Sequence, residues 1–573
     1  ITKGFFNSTE ENISISDSHT RILDASLKVF GNLKDYPKDL SHVDLTFQGE
    51  LGPDSVRWIS DVLKLPPYLH LRPPISVSTA HLTWKHDHEI GFSGDLLFHP
   101  KIKVSTEIHA NPHAMTIKNL VIQDRDDHAS IKFVQKNRTA DLFFTGKLHK
   151  STLDGIVEEN QILNGWINGN FQARVLLDRP LNSTLQGELQ ASNLLLPGTS
   201  KVPLVINDLS LKTIKDHLQV ESAALSWADN QFELKGNVNF SAHEPDLDME
   251  LTSKAIDLDK LIQAMNKYRK KDPNPEAEKT WTSPVRGVLK LKTQALAYKG
   301  FTWTPFQADI IFNDRAADVV LTNANLCAIS TPGTLKISPR EINVHVKPYV
   351  RGQKLKSFIS CLLDKSAKVD GDFDLDGELT AQGQGEQLIQ SIGGHIKLDA
   401  AKGRIYAGRF YSVLIDISNL IQFTEMFKGK MPDLSAEGFG YHSIHVKADV
   451  QKSILNLNEM VIDGMSMGIA CHGYVDYFNK KMDITALVAP LKTVDFIVNY
   501  LPGMNYILGG SLISFPVRIK GDLNNPRVIP ISPTAVGSGL LGIMKRTLHL
   551  PVKMIEPIII NQTPVPPDKE QSQ

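Results

Sequence analysis

The chain has 573 residues, enough to bury a large core and to form several domains. Its formal net charge is −1 and 22% of its residues are charged, so it lacks the basic excess that nucleic-acid binding requires. No run of about 18 apolar residues is present, which argues against a membrane-spanning helix within this sequence.

The first residues in chain order, 1–20, are polar and irregular, and we expect them to be weakly ordered. Because the chain starts at Ile1 rather than at Met, we expect a processed or truncated N-terminus, with any targeting segment upstream. From Leu27 onward, short runs such as Val43–Phe47 and Leu247–Leu251 alternate apolar and polar residues. This period of two predicts antiparallel strands with one apolar and one polar face.

A repeated unit of strands and one short helix organises the chain. Four similar tetrads are expected to open a helix after a strand: Leu153–Ile156, Leu258–Leu261, Leu355–Phe358 and Val494–Ile497. A fifth copy is predicted at Asp54–Trp58. The sequence therefore predicts a mainly β protein with short helices, built from about five strand–helix–strand repeats.

The expected domains follow from these repeats and from one charged segment. Residues 21–268 are predicted to hold the N-terminal repeats and residues 281–560 a C-terminal β domain, with a charged linker or loop at 269–280. The tail, 561–573, is polar and rich in proline, which predicts disorder. Further helices are expected near residues 411–428, 493–501 and 534–549.

Short strings that imitate catalytic or ligand motifs lack the context that each motif needs. The string GMSMG around Ser466 fits a nucleophile elbow, but a strand rather than a helix is predicted after it. Asp372, Asp374 and Asp376 resemble the start of a calcium loop, but Gly383 stands where that loop needs Glu. We therefore predict no catalytic, metal or cofactor residues and a protein that is not an enzyme. A hydrolase built on Ser466 is the alternative.

Three C-terminal segments carry a resemblance to a known family. They read LVAPLKTVD, ILGGSLISFPVRIKGDLNNPRV and PTAVGSGLLGIMKRTLHLPVKMIEP. Together they closely resemble the C-terminal signature of the AsmA-like superfamily, in its YhdP-type branch. Upstream, RWISDVLKLPPYLHLRPPISVS and LDGIVEENQILNGWINGNFQARVLLDRP resemble repeats of the same family. The resemblance extends over about residues 43–557 and is densest after Ser391.

The resemblance implies a long twisted antiparallel β-sheet curled into an open apolar groove. Alternation alone would equally fit two sheets that close as a sandwich. The function it implies is that of a periplasmic, bridge-like lipid-transfer protein that supports outer-membrane biogenesis. Such a protein is anchored in the inner membrane by an upstream segment and moves phospholipid toward the outer membrane or an outer-membrane protein. The alternative is a β-rich periplasmic scaffold or assembly factor with a filled interior.

Regular apolar rows are the expected lipid contacts. The residues predicted to line the groove are Phe232, Leu234, Leu247, Met249, Leu251, Ile310, Phe312, Ile513, Phe515 and Val517. Some of these rows could instead be ordinary core beneath helices.

The closing helix and the cysteines give two further expectations. The amphipathic segment from Gly539 to His549 is predicted either to contact a membrane or partner or to cap the last strand edge. Its contact residues would be Leu540, Leu541, Met544, Lys545, Arg546 and Leu548. An oxidising periplasm would permit a disulfide between Cys327 and Cys361, with Cys471 as a buried thiol, although three unpaired cysteines are the alternative.

Overall fold

The structure is a computed structural model. It describes residues 2–9, 12–35, 40–62, 70–86, 89–98, 101–161, 163–178, 183–196, 204–214, 217–240, 245–268, 285–313, 316–363, 366–422, 438–490, 512–536, 538–548 and 552–554. Strands account for 71% and helices for 14%, so the predicted mainly β fold with short helices is confirmed. The described strands form mixed β-sheet structure in which most paired neighbours are antiparallel.

The first of two compact units comprises Ile1–Gly300 and Asp309–Ala317. Its helices are α1 (Pro53–Val62), α2 (Lys150–Ile156) and α3 (Leu258–Tyr268). Its strands are β1 (Thr2–Ser8), β2 (Asn12–Ile22), β3 (Ala25–Lys34), β4 (His42–Leu51), β5 (Ile75–Lys85), β6 (Ile90–Phe98), β7 (Ile102–Asn111), β8 (Ala114–Asp124), β9 (Asp127–Lys136), β10 (Thr139–His149), β11 (Leu163–Leu176), β12 (Thr184–Leu196), β13 (Leu204–Ile214), β14 (His217–Trp227), β15 (Asn230–Asn239), β16 (Asp246–Asp257) and β17 (Arg286–Tyr298).

The strands of this unit follow one another in chain order. Each strand from β1 to β15 pairs antiparallel with the next one, including the pairs that flank α1 and α2. The even-numbered strands therefore share one direction. Because α1, α2 and α3 follow β4, β10 and β16, all three begin at the same end of the strands, which we call the helix end.

β17 departs from this order because it pairs parallel with β16. A parallel neighbour requires the chain to return along the length of the strand. The first unit includes β17, which follows the charged segment 269–280 in the chain. That segment lies outside the described residues.

The N-terminal stretch differs from the expectation of weak order. β1 and β2 occupy most of residues 1–20, and β2 pairs along its length with β3. Ile13 and Ile15 alternate with serines, which is the period of a strand. The polar composition of the stretch concealed this alternation.

A polar residue in a β-turn holds the start of each helix in this unit. The carboxylate of Asp24 accepts the N–H groups of Asp54 and Ser55 at 2.8 and 2.9 Å. Asp127 and Asn230 each accept the N–H of the residue just before a helix: His149 before α2 at 2.8 Å, and Asp257 before α3 at 2.7 Å. In every case the turn residue lies just before, or at the start of, the second strand that precedes the helix. These strands are β3 for α1, β9 for α2 and β15 for α3. Since the first N–H groups of a helix have no partner within it, the two contacts of Asp24 satisfy such groups in α1.

The second unit comprises Phe301–Ala308 and Asp318–Gln573. Its helices are α4 (Leu355–Phe358), α5 (Glu386–Gln390), α6 (Arg409–Gln422) and α7 (Ser538–Leu548), with a π-helical turn at Ile359–Leu363 and a 3-10 turn at Pro533–Ala535. Its strands are β18 (Phe301–Phe312, whose last residues belong to the first unit), β19 (Ala317–Leu326), β20 (Ile329–Ser330), β21 (Gly333–Ile337), β22 (Ile342–Val346), β23 (Tyr349–Lys354), β24 (Lys368–Gly383), β25 (Gly393–Ala407), β26 (Phe439–Gln451), β27 (Ile454–Gly464), β28 (Met467–Asp476), β29 (Lys481–Pro490), β30 (Leu512–Asp522), β31 (Asn525–Pro530) and β32 (Val552–Met554).

An antiparallel sheet from β24 to β31 surrounds the core of this unit. Helix α6 contacts β25 and also β31, six strands further on, so it lies across the apolar face between them. Leu414, Ile417 and Ile421 on this helix are almost fully buried, together with Phe439 and Tyr441 of the sheet. This face is therefore filled by side chains of the chain itself.

The structure describes most of the helices that the sequence predicts. Four repeat tetrads coincide with α1, α2, α3 and α4. The helix expected near 411–428 is α6, described as far as residue 422, and the one expected near 534–549 is α7. The tetrad Val494–Ile497 and the helix expected at 493–501 lie outside the described residues.

Candidate functional site

The apolar face of the first unit is continuous from strand to strand. Phe232 pairs with Leu225, and Leu234 pairs with Leu251. Residues paired in this way lie on the same face of a sheet, so their side chains form a row across the strands. The row extends over the unit through further apolar pairs: Met249–Leu289, Val238–Leu247, Leu209–Ala223, Leu189–Leu211, Phe144–Phe171, Leu120–Ile131, Leu96–Val104, Ile75–Phe98 and Val29–Phe47.

The opposite face of the same strands is polar and carries cross-strand ion pairs. The carboxylate of Glu250 on β16 forms ion pairs with Lys235 at 3.2 Å and with Lys292 at 2.8 Å. The two lysines lie on the two neighbouring strands. Hydrogen bonds from Lys292 and Lys235 hold the pKa of Glu250 below its usual value. Arg174 and Asp141 form a similar pair at 2.7 Å between β11 and β10. The sheet of this unit therefore has one polar, solvent-exposed face and one apolar face.

Helix α2 and its flanking segments cover the apolar face at the helix end of β5–β11. The N–H of Arg72 donates to the carbonyl of Ile156 at 2.7 Å, and that of Glu158 donates to His70 at 2.9 Å. Helix α2 contacts β7 as well as β10 and β11, so it lies across several strands. Ile75 and Phe98 beneath it are almost fully buried. This part of the row is core.

A buried carboxylate anchors that cover. Asp127 accepts the Thr152 hydroxyl at 2.5 Å and the His149 N–H at 2.8 Å, and its side chain is 3% exposed. Burial alone would raise the pKa of this carboxyl, but hydrogen bonds from Thr152 and His149 outweigh it and lower the pKa. Asp127 is therefore charged at neutral pH and fixes α2 on the sheet.

From β12 to β17 the apolar row is only partly covered. Phe232, Leu234, Leu247 and Leu251 are half-buried, and Met249 is buried among them. Within the described segments, no helix packs substantially on β12–β16. The side chains therefore shield one another from the sides and leave their upper surface accessible. Five of the residues predicted to line a groove meet here, and two more, Ile310 and Phe312, are half-buried in β18.

Two other residues predicted to line the groove occupy a different environment. Phe515 is 3% exposed and Val517 is 0% exposed, and both belong to the cluster that α6 covers. A side chain packed in this way cannot contact a lipid without displacement of α6. Their alternation is that of ordinary core beneath a helix, one of the two readings that the sequence allows. The side chain of Ile513 lies outside what the structure describes.

Helix α7 lies on the opposite face of the second unit's sheet from α6. Leu540 and Met544, each 1% exposed, pack against Val461, Ala470 and Leu487. Ile469 and Val488, the neighbours of Ala470 and Leu487 along β28 and β29, belong to the cluster under α6. These two strands are therefore covered on both faces. In this arrangement Leu540 and Met544 are unavailable to a membrane. The helix covers a face of the sheet, whereas the sequence suggested a strand edge.

The other expected contact residues of α7 lie toward solvent or are not described. Leu541 is half-buried, and Lys545 and Arg546 are exposed. The side chain of Leu548 lies outside the described residues.

The cysteines are placed as one bonded pair and one buried thiol. Cys327 and Cys361 form a disulfide with a Cα–Cα distance of 5.8 Å. The disulfide joins the turn after β19 to the helical turn that follows α4. In the first unit, polar residues in turns hold the starts of helices in a comparable way. Cys471 is free and buried, and desolvation raises its pKa to about 12, so the thiol is neutral.

The strings that imitate catalytic and calcium motifs belong to strands and turns. Ser466 lies in the turn between β27 and β28, so no helix follows it as a nucleophile elbow requires. The aspartates of β24 face β23 on the polar side, where Asp372 pairs with Lys354 at 2.6 Å. Asp376 pairs with Arg351, also at 2.6 Å. Among the described residues, no group of three or more metal-ligating side chains comes together.

The fold defines a mainly β protein, and the sheet of its first unit has one apolar and one ion-paired face. No protein-family model matches the chain, and no curated protein or solved structure matches it either. The resemblance to the AsmA-like superfamily therefore stays a prediction. None of the described helices combines the length and the hydrophobicity needed to cross a bilayer.

Proposed function

We propose that this chain binds phospholipid on the apolar face of its first unit and transfers it between two membranes. The observation that carries the proposal is the row of buried and half-buried apolar side chains across β12–β16, on which no described helix packs substantially. A contiguous accessible apolar patch on a protein in water generally marks a binding surface.

The chemistry of the face suits an acyl chain. Each methylene that leaves water for an apolar surface gains about 0.8 kcal/mol. The row offers Leu, Phe, Val and Met side chains in register, so a chain laid along it meets no buried charge. The headgroup stays in water on the accessible side. Transfer along such a row needs no covalent step, in keeping with a protein that is not an enzyme.

The resemblance to the AsmA-like superfamily supplies the proposed setting. It supports a location in the periplasm of a double-membraned bacterium, with an inner-membrane anchor in an upstream segment. The partners would then be phospholipid and the outer membrane or one of its proteins. The burial of Phe515 and Val517 limits the proposed lipid path to the first unit.

A second candidate function is a periplasmic scaffold or assembly factor. The observation that favours it is the filled core of the second unit, where α6 covers one face of the sheet and α7 the other. In that case the half-buried row of the first unit would receive a protein or an undescribed segment of the chain, and no lipid.

The test compares two aspartate substitutions on the same strand. Leu234→Asp places an unpaired carboxylate in the apolar row, where desolvation is costly. Gln231→Asp adds the same charge to the exposed opposite face of β15. Lipids that co-purify with each variant and with the wild-type chain are quantified by mass spectrometry, and circular dichroism checks that the sheet is intact.

We expect Leu234→Asp to reduce bound phospholipid roughly ten-fold or more, a loss of about 1.4 kcal/mol or more in binding. Gln231→Asp should leave it unchanged. Equal lipid loading in a folded Leu234→Asp variant would contradict the proposed path. A wild-type chain that carries no lipid would favour the scaffold.

A further inference from the structure

A hairpin tip in the second unit exposes two adjacent aromatic side chains. Tyr477 is 60% exposed and Phe478 is 56% exposed, in the turn between β28 and β29. In the same unit the aromatic side chains of Phe439 and Tyr441 are fully buried in the core. The exposure of Tyr477 and Phe478 therefore contrasts with the burial of those two core residues. Two neighbouring rings in water at the end of a hairpin are costly unless they contact something.

The tip has a fixed shape. The carboxylate of Asp476 accepts the backbone N–H of Asn479 at 2.9 Å and its side-chain amide at 2.8 Å. The carbonyl of Lys480 accepts the N–H of Leu523 at 2.8 Å, which ties the tip to the next hairpin. The two rings therefore project from a braced turn, and little conformational entropy is lost when they dock.

Charged side chains of both signs lie beside the rings. Lys480 and Lys481 follow after Asn479, and Lys481 lies opposite Asp476 and Asp522 in the register of the sheet. Lys481 helps to lower the pKa of Asp476, after the hydrogen bonds from Asn479, and Asp522 accepts the N–H of Asn524 at 2.8 Å. The next carboxylate along β29, Asp483, is held by Arg518 at 2.6 and 2.7 Å. The tip thus joins aromatic side chains to two lysines and offers no unengaged carboxylate among these neighbours.

We propose that the hairpin tip Tyr477–Lys481 docks on the surface of an anionic phospholipid membrane. Aromatic rings favour the boundary between headgroups and acyl chains, and the adjacent lysines would lie at the level of the phosphates. A protein partner would fit the rings, but the two lysines favour a negatively charged bilayer. The inference goes beyond lipid binding in the first unit and does not depend on it.

The experiment measures co-flotation of the full chain with vesicles of phosphatidylglycerol and phosphatidylcholine, and with vesicles of phosphatidylcholine alone. The main variant is Tyr477→Ser with Phe478→Ser, and the matched control is Tyr349→Ser, an exposed aromatic on β23. A charge variant, Lys480→Gln with Lys481→Gln, tests the contribution of the lysines.

We expect the wild-type chain and the Tyr349→Ser control to float with the anionic vesicles. The double serine variant should bind at least ten-fold more weakly. The lysine variant should lose roughly 30-fold on anionic vesicles, at about 1 kcal/mol per lysine, and should lose little on neutral ones.

A second measurement keeps the inference testable if a serine variant folds poorly. In Phe478→Trp the added indole should be quenched by brominated lipids, beyond the quenching seen for the wild-type tryptophans. The inference is overturned if the folded double serine variant floats as the wild type does. It is also overturned if the wild-type chain does not bind anionic vesicles, the result expected when the tip serves a protein partner.

Discussion

Alanine substitutions in the two units should differ sharply in their effect on stability. Leu414 on α6 is 0% exposed and lies in the centre of the second unit's core, so Leu414→Ala should cost about 2–5 kcal/mol of unfolding free energy. Leu234 is half-buried in the apolar row of β12–β16. Leu234→Ala should therefore lose only part of the transfer free energy of a leucine side chain, about 1 kcal/mol. The contrast follows from a filled face in one unit and an accessible face in the other.

Differential scanning calorimetry of the full chain measures this contrast. At about 2 °C per kcal/mol for a unit of this size, Leu414→Ala should lower the transition of the second unit by about 4–10 °C. Hydrogen exchange of α6 assigns the transition to its unit. Ile417→Val, which removes one methyl group from the same helix, is the matched control and should cost about 0.5–1.5 kcal/mol. Equal losses for Leu414→Ala and Leu234→Ala would refute the distinction between a filled and an open face.

Three further predictions concern the contacts that hold helices on the sheet. Asp127→Asn should speed hydrogen exchange in α2 by weakening hydrogen bonds worth about 1–3 kcal/mol. Because the folded pKa of Asp127 is depressed, its contribution is present above the unfolded pKa and is lost as the pH falls below about 4. Reduction of the Cys327–Cys361 disulfide should destabilise the second unit by about 3–4 kcal/mol in the chain-entropy model. Leu540→Asp should detach α7, whereas Lys545→Gln should leave it in place, as monitored by limited proteolysis.

Each of these predictions has an outcome that contradicts it. Unchanged exchange in α2 of the Asp127→Asn variant would show that the carboxylate does not anchor the helix. Protection factors of α2 in the wild-type chain that stay constant between pH 3 and 6 would show the same. A reduced chain with the calorimetric profile of the oxidised one would remove the disulfide from the account. Proteolysis of α7 at the same rate in the wild-type chain and in Leu540→Asp would mean that its burial is not what holds the helix.

Alternation and repeats were sufficient to predict the strands and most of the helices. Runs such as Val43–Phe47 and Leu247–Leu251 fall within β4 and β16, because a half-buried strand imposes a period of two on its own sequence. Four tetrads at similar spacing coincide with helices, and in the first unit three of these helices begin at the same end of the strands. Local sequence patterns of this kind can be recognised before the fold is known.

Contacts between distant segments could not be predicted in the same way. The parallel pairing of β17 with β16 depends on the path of the chain between them, which no local pattern encodes. Asp24 and Asp127 were missed as helix anchors, because a polar residue in a turn has many possible partners until the register is known. One signal was present for the second unit: the consecutive apolar residues Ala486–Ala489 indicate a strand buried on both faces. Alternation in Phe515 and Val517 cannot distinguish a lipid groove from a core under a helix.

Photo-crosslinking with a phospholipid that carries a diazirine in its acyl chain tests the central claim most directly. The full chain is loaded with this lipid, irradiated and digested, and the modified peptides are identified by mass spectrometry. The account predicts crosslinks on the half-buried residues of β12–β17, with Leu234 and Leu247 among them, and none on the buried residues of α6. Crosslinks confined to the second unit, or spread evenly over both units, would contradict it.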